Sequence, residues 1–142
     1  MRAGTNGVVT ADATANDARG ERTFGAALTE HLGALQAKDA ERFGATLGED
    51  VVVVDGAGAM KRGRDVVLRS HAEWFASSDP WTFEYEVVLV REMRDAALAL
   101  IDVTYRHRPE LEPARFLLSL VFARDANGEW KFVYDQNTPH RG

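Results

Sequence analysis

Apolar residues recur at helical spacing in the first half of the chain, between positions 24 and 76. The first run predicts a helix that turns one stripe toward the core, formed by Phe24, Leu28, His31, Leu32 and Leu35. Asp39 is placed to cap a second helix, with Phe43 and Leu47 inward. A third helix is predicted from Arg64 to Ala76, before Asp79-Pro80, with a stripe made of Val67, Leu68, His71, Trp74 and Phe75.

Strand spacing dominates the second half of the chain. Before it, a short strand from Val51 to Asp55 turns through Gly56-Ala57-Gly58 into a partner around Met60. Four longer strands are predicted at Thr82–Met93, Ala96–His107, Ala114–Arg124 and Trp130–Asn137. Helices followed by hairpin-linked strands predict an α+β fold, in which the helices cover one face of an antiparallel sheet.

Alternation within these strands predicts which side chains point inward. In the first long strand, Tyr85 has the parity of Val87 and alternates with Glu84 and Glu86. In the last strand, Gln136 shares its parity with the aromatic residues Trp130, Phe132 and Tyr134. We therefore expect Tyr85 and Gln136 to face the core.

The two middle strands are apolar on both faces, at residues 98–101 and 116–122. A half-exposed antiparallel sheet alternates apolar and polar residues, and no further helix is available to cover the outer face. A second copy of the sheet is the simplest cover, so the pattern predicts a homodimer joined through this face. Leu118 is expected to lie in that interface.

Composition points to one soluble domain that binds neither nucleic acid nor a membrane. The chain of 142 residues carries a net charge of −5, which disfavours the clustered basic surface that nucleic acid requires. Cysteine is absent, and no apolar run approaches the roughly 20 residues of a membrane span. Residues 1–20 are poor in apolar side chains, which predicts a disordered arm before a single domain at 21–142. Without a signal-peptide pattern, a cytoplasmic protein is expected.

Asp55 is the first candidate for chemistry, because it ends an otherwise apolar strand. A carboxylate at the mouth of such a strand loses solvation, which raises its pKa toward the range useful for proton transfer. The alternative is a structural role for Asp55 in its turn. An Asp before Gly in a hairpin commonly caps its own turn through a side-chain oxygen.

Four short motifs carry a family resemblance: Ala37-Lys38-Asp39, Glu49-Asp50, Asp55-Gly56-Ala57-Gly58 and Arg62-Gly63. They resemble the NTF2-like superfamily, which includes the SnoaL-type polyketide cyclases and the ketosteroid isomerases. The resemblance implies a cystatin-like cone, in which three N-terminal helices pack on a curved antiparallel sheet and enclose a pocket. The tail from Trp130 to Pro139 is similar to the SgcJ/EcaC-like subgroup, found beside antibiotic biosynthesis genes.

The resemblance also implies site residues. Laid on the family without a gap, Asp55 falls on the general-base aspartate, and His31 falls where ketosteroid isomerases place the tyrosine that binds the substrate oxyanion. An imidazole can donate that hydrogen bond, whereas the alternative for His31 is an exposed place at the edge of its helix stripe. The second oxyanion acid of those isomerases is missing, since the overlay reaches Leu120, next to Ser119. Steroid isomerisation itself is therefore not expected.

Five further residues are expected to line the pocket and bind substrate: His71, Trp74, Tyr85, Ser119 and Gln136. For His71 the alternative is a core histidine, and for the two aromatic residues it is plain packing. The histidines and aspartates show no metal-ligand spacing, and the glycine turn lacks a phosphate-loop sequence. We expect neither a metal nor a cofactor.

Together these expectations describe a protein for a small hydrophobic or aromatic metabolite of secondary metabolism. If catalytic, it is a cofactor-free isomerase, cyclase or dehydratase with Asp55 as base and His31 as oxyanion donor. Two alternatives stay open. One is a non-catalytic binder that protects its ligand, and the other is a protein-interaction module, which needs an exposed apolar patch beyond the dimer interface. A cavity shared by Asp55 and His31 would favour the catalytic reading.

Overall fold

The computed structural model describes Asn16 and residues 22–140. Asn16 forms an isolated antiparallel bridge with Arg22, just before the first helix. Apart from Asn16, the arm predicted at residues 1–20 lies outside the described residues.

In the part of the chain that the structure describes, two helices precede the first strand and a third follows the second strand. Helix α1 spans Phe24–Gln36 and is capped by Thr23, whose hydroxyl accepts from the Ala26 backbone N–H at 3.1 Å. Helix α2 spans Ala40–Ala45, and helix α3 spans Arg64–Phe75. The predicted cap is confirmed, because the Asp39 carboxylate accepts from the Arg42 backbone N–H at 3.1 Å.

Lys38 connects α1 to α2 in the left-handed backbone region, with φ of 56°. That region costs a residue with a Cβ roughly 1–2 kcal/mol. The Lys38 ammonium lies 4.2 Å from the centre of the Trp81 ring, a cation–π contact that offsets part of this cost. The turn at Lys38 therefore connects α1 to α2, and its side chain covers the Trp81 ring.

Six strands form one sheet within the described residues: β1 Leu47–Val54, β2 Met60–Arg62, β3 Thr82–Glu92, β4 Ala96–Arg106, β5 Ala114–Arg124 and β6 Trp130–Pro139. Their order across the sheet is β2-β1-β6-β5-β4-β3. The prediction of an antiparallel sheet is wrong at one place, because β6 pairs with β1 in parallel. After α3, three hairpins bring the last strand back beside the first one, running in the same direction. The sheet is therefore mixed.

The core lies between the helices and the concave face of this sheet. The predicted stripe of α1 is buried there, and Phe24 packs edge-on against Phe122 with ring centres 5.4 Å apart. The largest fully buried side chains come from helices, strands and the α3–β3 connection alike: Trp81, Phe24, Phe43, Phe122 and Phe132. Each such side chain contributes roughly 1.5–3 kcal/mol through the apolar surface it removes from water.

A β-bulge at Val133 changes which residues of β6 face inward. Val121 pairs with Tyr134 while the next residue, Phe122, pairs with Phe132, so Val133 is the extra residue on β6. Beyond the bulge Asp135 turns to the concave face, and Gln136 is exposed on the convex face. The inward placement predicted for Gln136 is therefore wrong, because strict alternation fails across the bulge.

The convex face of the middle strands is apolar and uncovered in the single chain. Its partly exposed side chains are Leu98, Leu100, Leu117 and Val121. Leu118 lies on the opposite, concave face and is buried, so its predicted place in an outer interface is wrong. The adjacent Asp102 carboxylate is flanked by Arg115 at 2.9 Å and by His140 at 3.0 Å.

Candidate functional site

A cavity of about 220 Å³ opens between α3 and the concave face of the sheet. Its walls are largely apolar and aromatic, including Leu35, Val53, Trp74, Phe83, Phe116 and Leu118. Its polar lining residues are Asp55, Lys61, Ser70, His71, Asp135 and Asn137. A concave apolar site with a few converging polar groups is the usual form of a small-molecule site.

Asp135 is the carboxyl group that the strand register brings into this cavity. It lies between Val53 of β1 and Leu120 of β5, both inward-facing and buried. Burial raises the pKa of the Asp135 carboxyl group to about 7, although a hydrogen bond from the Val54 backbone N–H opposes the shift. Near neutral pH this carboxyl group therefore exchanges readily between its protonated and ionised forms.

His71 lines the same cavity as a neutral imidazole. Its ring stacks on Phe43 with centres 4.6 Å apart, and Nδ1 lies 2.9 Å from the backbone oxygen of Val67. Because a carbonyl oxygen only accepts, Nδ1 carries the hydrogen, which leaves the lone pair on Nε2. Burial lowers the pKa of His71 despite the Val67 hydrogen bond, and the charge of Lys61 lowers it further.

Asp55 sits at the rim of the cavity and is bound into its own turn. One carboxylate oxygen accepts from the backbone N–H groups of Ala57 and Ala59, both at 2.9 Å. The residue is exposed, so it lacks the apolar surroundings that its predicted role as general base requires. The structure corrects that assignment in favour of the turn interpretation.

His31 lies in the core, outside the cavity lining. Its Nδ1 is 2.7 Å from the Thr46 hydroxyl oxygen, which in turn donates to the Phe43 backbone oxygen at 2.7 Å. The His31 ring packs 4.2 Å from that of Phe132, and burial lowers the pKa of His31 to about 3, with a smaller contribution from electrostatic coupling to the titrating His71. The predicted oxyanion role is wrong, because no ligand in the cavity meets this imidazole. The sequence signal for this buried placement was that His31 belongs to the apolar stripe of α1.

Of the five predicted substrate-binding residues, the structure brings His71 and Trp74 to the cavity. Tyr85 packs against the core beyond the lining. Ser119 and Gln136 are register partners on the convex face, so their predicted part in binding substrate is wrong. Sequence reasoning missed Lys61, Ser70, Asp135 and Asn137, and Asp135 and Asn137 follow the bulge at Val133.

Trp74 is a fixed wall of the cavity. Its ring stacks on the buried Trp81 with centres 4.3 Å apart and an interplanar angle of 16°. The Trp74 indole N–H lies 3.4 Å from the Tyr105 hydroxyl, which lies 3.1 Å from Nδ1 of His107. His107 in turn lies 3.2 Å from the Asp79 carboxylate. These contacts hold the indole in one orientation.

A larger groove, about 660 Å³, lies elsewhere on the surface and is less suited to chemistry. It is lined by charged residues, including Arg22, Glu30, Arg42 and Lys131, and the Glu30–Arg42 pair closes at 3.0 Å. Ionisable groups whose pKa is shifted by burial tend to cluster at functional sites, and Asp135 and His71, which have such shifts, lie in the smaller cavity. Across residues 22–140, the histidines and acids form no group of three that could hold a metal ion.

Residues 25–137 match the SnoaL-like domain family. This chain belongs to the SnoaL-like family. Its cone places it among the NTF2-like and ketosteroid isomerase-like folds, as the sequence resemblance predicted, whereas the SgcJ/EcaC-like subgroup stays a prediction.

Solved structures show how widely this SnoaL-like fold is shared. A candidate dehydratase of the NTF2-like family from Streptomyces avermitilis is 21% identical with a TM-score of 0.69, over 83% of this chain and 94% of that one. A ketosteroid isomerase-like protein from Erwinia carotovora atroseptica is 18% identical with a TM-score of 0.68, over 82% and 93%. A candidate calcium/calmodulin-dependent protein kinase type II association domain from Thiobacillus denitrificans is 20% identical with a TM-score of 0.71, over 82% and 94%.

At these identities the likeness establishes the fold alone. The names of the neighbours range from a candidate dehydratase to a candidate association domain, so the activity of this SnoaL-like protein has to be argued from its cavity. No functionally curated protein matches the sequence. Among residues 22–140, no helix has the length and apolarity that crossing a bilayer demands.

Proposed function

We propose that this SnoaL-like protein binds a small, flat, largely apolar molecule in the cone cavity and moves a proton on it. The reaction class is that of a cofactor-free isomerase, cyclase or dehydratase. The observation that carries the proposal is Asp135, an ionisable carboxyl group facing an apolar cavity with a pKa raised to about 7 by burial. General acid–base catalysis is most efficient when the pKa of the catalytic group lies near the working pH.

The chemistry assigned to the cavity is proton transfer beside a carbonyl group. The Asp135 carboxylate removes a proton from the carbon next to the carbonyl, and the electron pair moves to the carbonyl oxygen. The side-chain amide of Asn137, which follows Asp135 on the same face of β6, supplies a hydrogen-bond donor for that oxygen. Protonated Asp135 then returns the proton to a different carbon, which completes an isomerisation, or gives it to the oxygen of a hydroxyl group on the neighbouring carbon, which leaves as water in a dehydration.

Several observations support this class without fixing the substrate. The cavity volume lies below the range of roughly 300–1,000 Å³ typical of drug-sized ligands, which favours a small molecule. Two neighbours are named as a candidate dehydratase and as ketosteroid isomerase-like, and dehydration and ketosteroid isomerisation are both proton-transfer reactions. A role in secondary metabolism rests on the tail, Trp130 to Pro139, and is part of the proposal.

The test compares two carboxylates of the cavity. Asp135→Asn should slow proton exchange about a hundred- to ten-thousandfold, because the amide keeps the shape and cannot take a proton. Asp55→Asn is the matched control and should stay within a few-fold of the wild type. The measurement is deuterium uptake at the carbon beside the carbonyl of β-tetralone, a flat bicyclic ketone, followed by NMR in deuterated water. Equal rates in the two variants would contradict the proposed base.

A non-catalytic binder is the second candidate. It is favoured by Leu120, which is buried and apolar at the place where the sequence overlay puts the second oxyanion acid of the isomerases. If β-tetralone binds in the cavity but exchanges at the solvent rate with wild-type protein, the binder is the better description.

We further propose a homodimer joined through the convex face of β4 and β5. Leu100→Arg should raise the dissociation constant at least about a hundredfold, because a charge buried in a dry interface lacks solvation. Val88→Arg is the control, since Val88 is 50% exposed at a bulge of β3. Sedimentation velocity should give twice the chain mass of 15.7 kDa for the wild type. A monomeric wild-type protein would contradict the homodimer, and the apolar convex face would then be expected to bind a different protein.

A further inference from the structure

Lys61 brings a cation to the cavity that the proposed proton transfer does not use. It is partly buried on β2, with its side chain on the face that lines the cavity. No ion pair links it to any residue among 22–140. The carboxylate at the same rim, Asp55, has one oxygen committed to two backbone N–H groups of its turn. Within the described part of the chain, Lys61 is thus a partly buried charge without an ion-pair partner.

The strand register sets the distance between this cation and the proposed catalytic acid. Lys61 pairs with Val53, and Val53 pairs with Asp135, so the three lie in one row across β2, β1 and β6. Two strand spacings separate the first and last of them, about 10 Å between their backbones. One small ligand can therefore contact Lys61 at one end and reach Asp135 with its other end.

The charge of Lys61 is felt inside the cavity, since it contributes to the lowered pKa of His71. The remaining wall of the cavity offers apolar surface, from Phe83, Phe116 and Leu118. A ligand that satisfies both regions has an anionic end and a flat apolar body. A single lysine neutralises one charge, and the cavity of about 220 Å³ is too small for a nucleotide-sized polyanion.

We propose that the cavity selects a small, planar monocarboxylate, held by its carboxylate at Lys61 with its apolar body against Phe116 and Leu118. The inference rests on the proposed function for the choice of cavity and adds the substrate class. The carboxylate end anchors the ligand, and the atom that exchanges its proton lies toward Asp135. Lys61 is a binding residue and takes no part in the proton transfer.

The test uses trans-cinnamate and its uncharged isostere cinnamamide, with dissociation constants measured by isothermal titration calorimetry at low and at high salt. Wild-type protein should bind cinnamate at least about tenfold more tightly than the amide, and added salt should reduce the preference. Lys61→Met should abolish the preference, and Lys61→Arg should retain most of it. Arg62→Met is the matched control, because it removes the same charge from the neighbouring, outward-facing position of β2.

Each outcome decides the inference separately from the proposed function. Equal affinities for the two probes in the wild type, no cinnamate binding, or a preference that survives Lys61→Met would each overturn it. Circular dichroism checks that each variant is folded. Asp135→Asn should keep the cinnamate preference while losing proton exchange on β-tetralone. Exchange that depends on Asp135 without any cinnamate preference would overturn the substrate class and leave the proposed function standing.

Discussion

Asp135→Asn should stabilise the protein by up to about 4 kcal/mol at pH 8 and leave it unchanged near pH 4. The folded-state pKa of Asp135 is about 7, raised from the ordinary value of 3.8. Between these values the unfolded chain releases a proton that the folded one keeps, so stability falls as the pH rises to 7. A shift of about three units corresponds to roughly 4 kcal/mol. The amide never ionises and escapes this penalty.

The same variant should become sensitive to acid, because His31 has the opposite linkage. The pKa of His31 is lowered from 6.5 to about 3, so the unfolded chain binds a proton that the folded one refuses. Its contribution is complete above pH 6.5 and is lost as the pH falls, by roughly 3 kcal/mol at pH 4. In the wild type the two linkages largely offset each other. The lowered pKa of His71 adds to the acid side.

Urea unfolding at pH 4, 6 and 8 measures both linkages. The wild type should show a shallow pH dependence, whereas Asp135→Asn should lose stability steadily from pH 7 to pH 4. His31→Gln supplies the control: whatever its overall cost, its stability should rise as the pH is lowered from 7 toward 4. If Asp135→Asn follows the pH profile of the wild type, the buried environment assigned to this carboxyl group is wrong.

Trp81→Ala should cost about 3–5 kcal/mol, the range for removing a large buried aromatic side chain. Trp81 is 1% exposed, stacks on Trp74 and carries the Lys38 ammonium on its ring. Its indole N–H also donates to the Trp74 backbone oxygen at 3.3 Å. Removing it leaves a void behind the cavity wall, so cinnamate binding should weaken as well.

Thermal and urea unfolding measure the stability change, and Trp81→Phe is the graded control. Phenylalanine keeps a stacking ring and loses the hydrogen bond and part of the volume, so its cost should be clearly smaller. A loss below about 1 kcal/mol for Trp81→Ala would contradict the packing described here, since it would require the void to collapse without strain.

The sequence predicted most of the secondary structure because periodicity depends only on local spacing. The strand at Ala114–Arg124 was predicted with its observed bounds, and the cap at Asp39 is confirmed. The parallel pairing of β6 with β1 is a long-range property that no local pattern encodes. The overlay on the family transfers positions along the chain, which is enough to predict the fold. It does not transfer the directions of side chains, and the candidate site depends on those directions.

Which residues form the candidate site depends on the directions in which their side chains point. Asp55 directly follows its strand, which ends at Val54, one residue earlier than predicted, and two backbone N–H groups bind its carboxylate into the turn. The sequence pattern placed His31 on the apolar stripe of α1. That stripe, and not the family overlay, correctly indicated that the imidazole lies in the core. Asp135 could not be found from alternation, because the extra residue at Val133 has no signature in an apolar strand.

The bulge in β6 also bears on how this family diversifies. The extra residue at Val133 decides whether a given later position of β6 faces the cavity or the solvent. A single-residue insertion or deletion there can therefore change which side chain enters the cavity while the aromatic residues around it stay in place. Homologues with the same chemistry would then carry their acid in different alignment columns. Sorting relatives by the direction of the Cα–Cβ bond at the cavity, and not by sequence position, should recover groups that share a reaction.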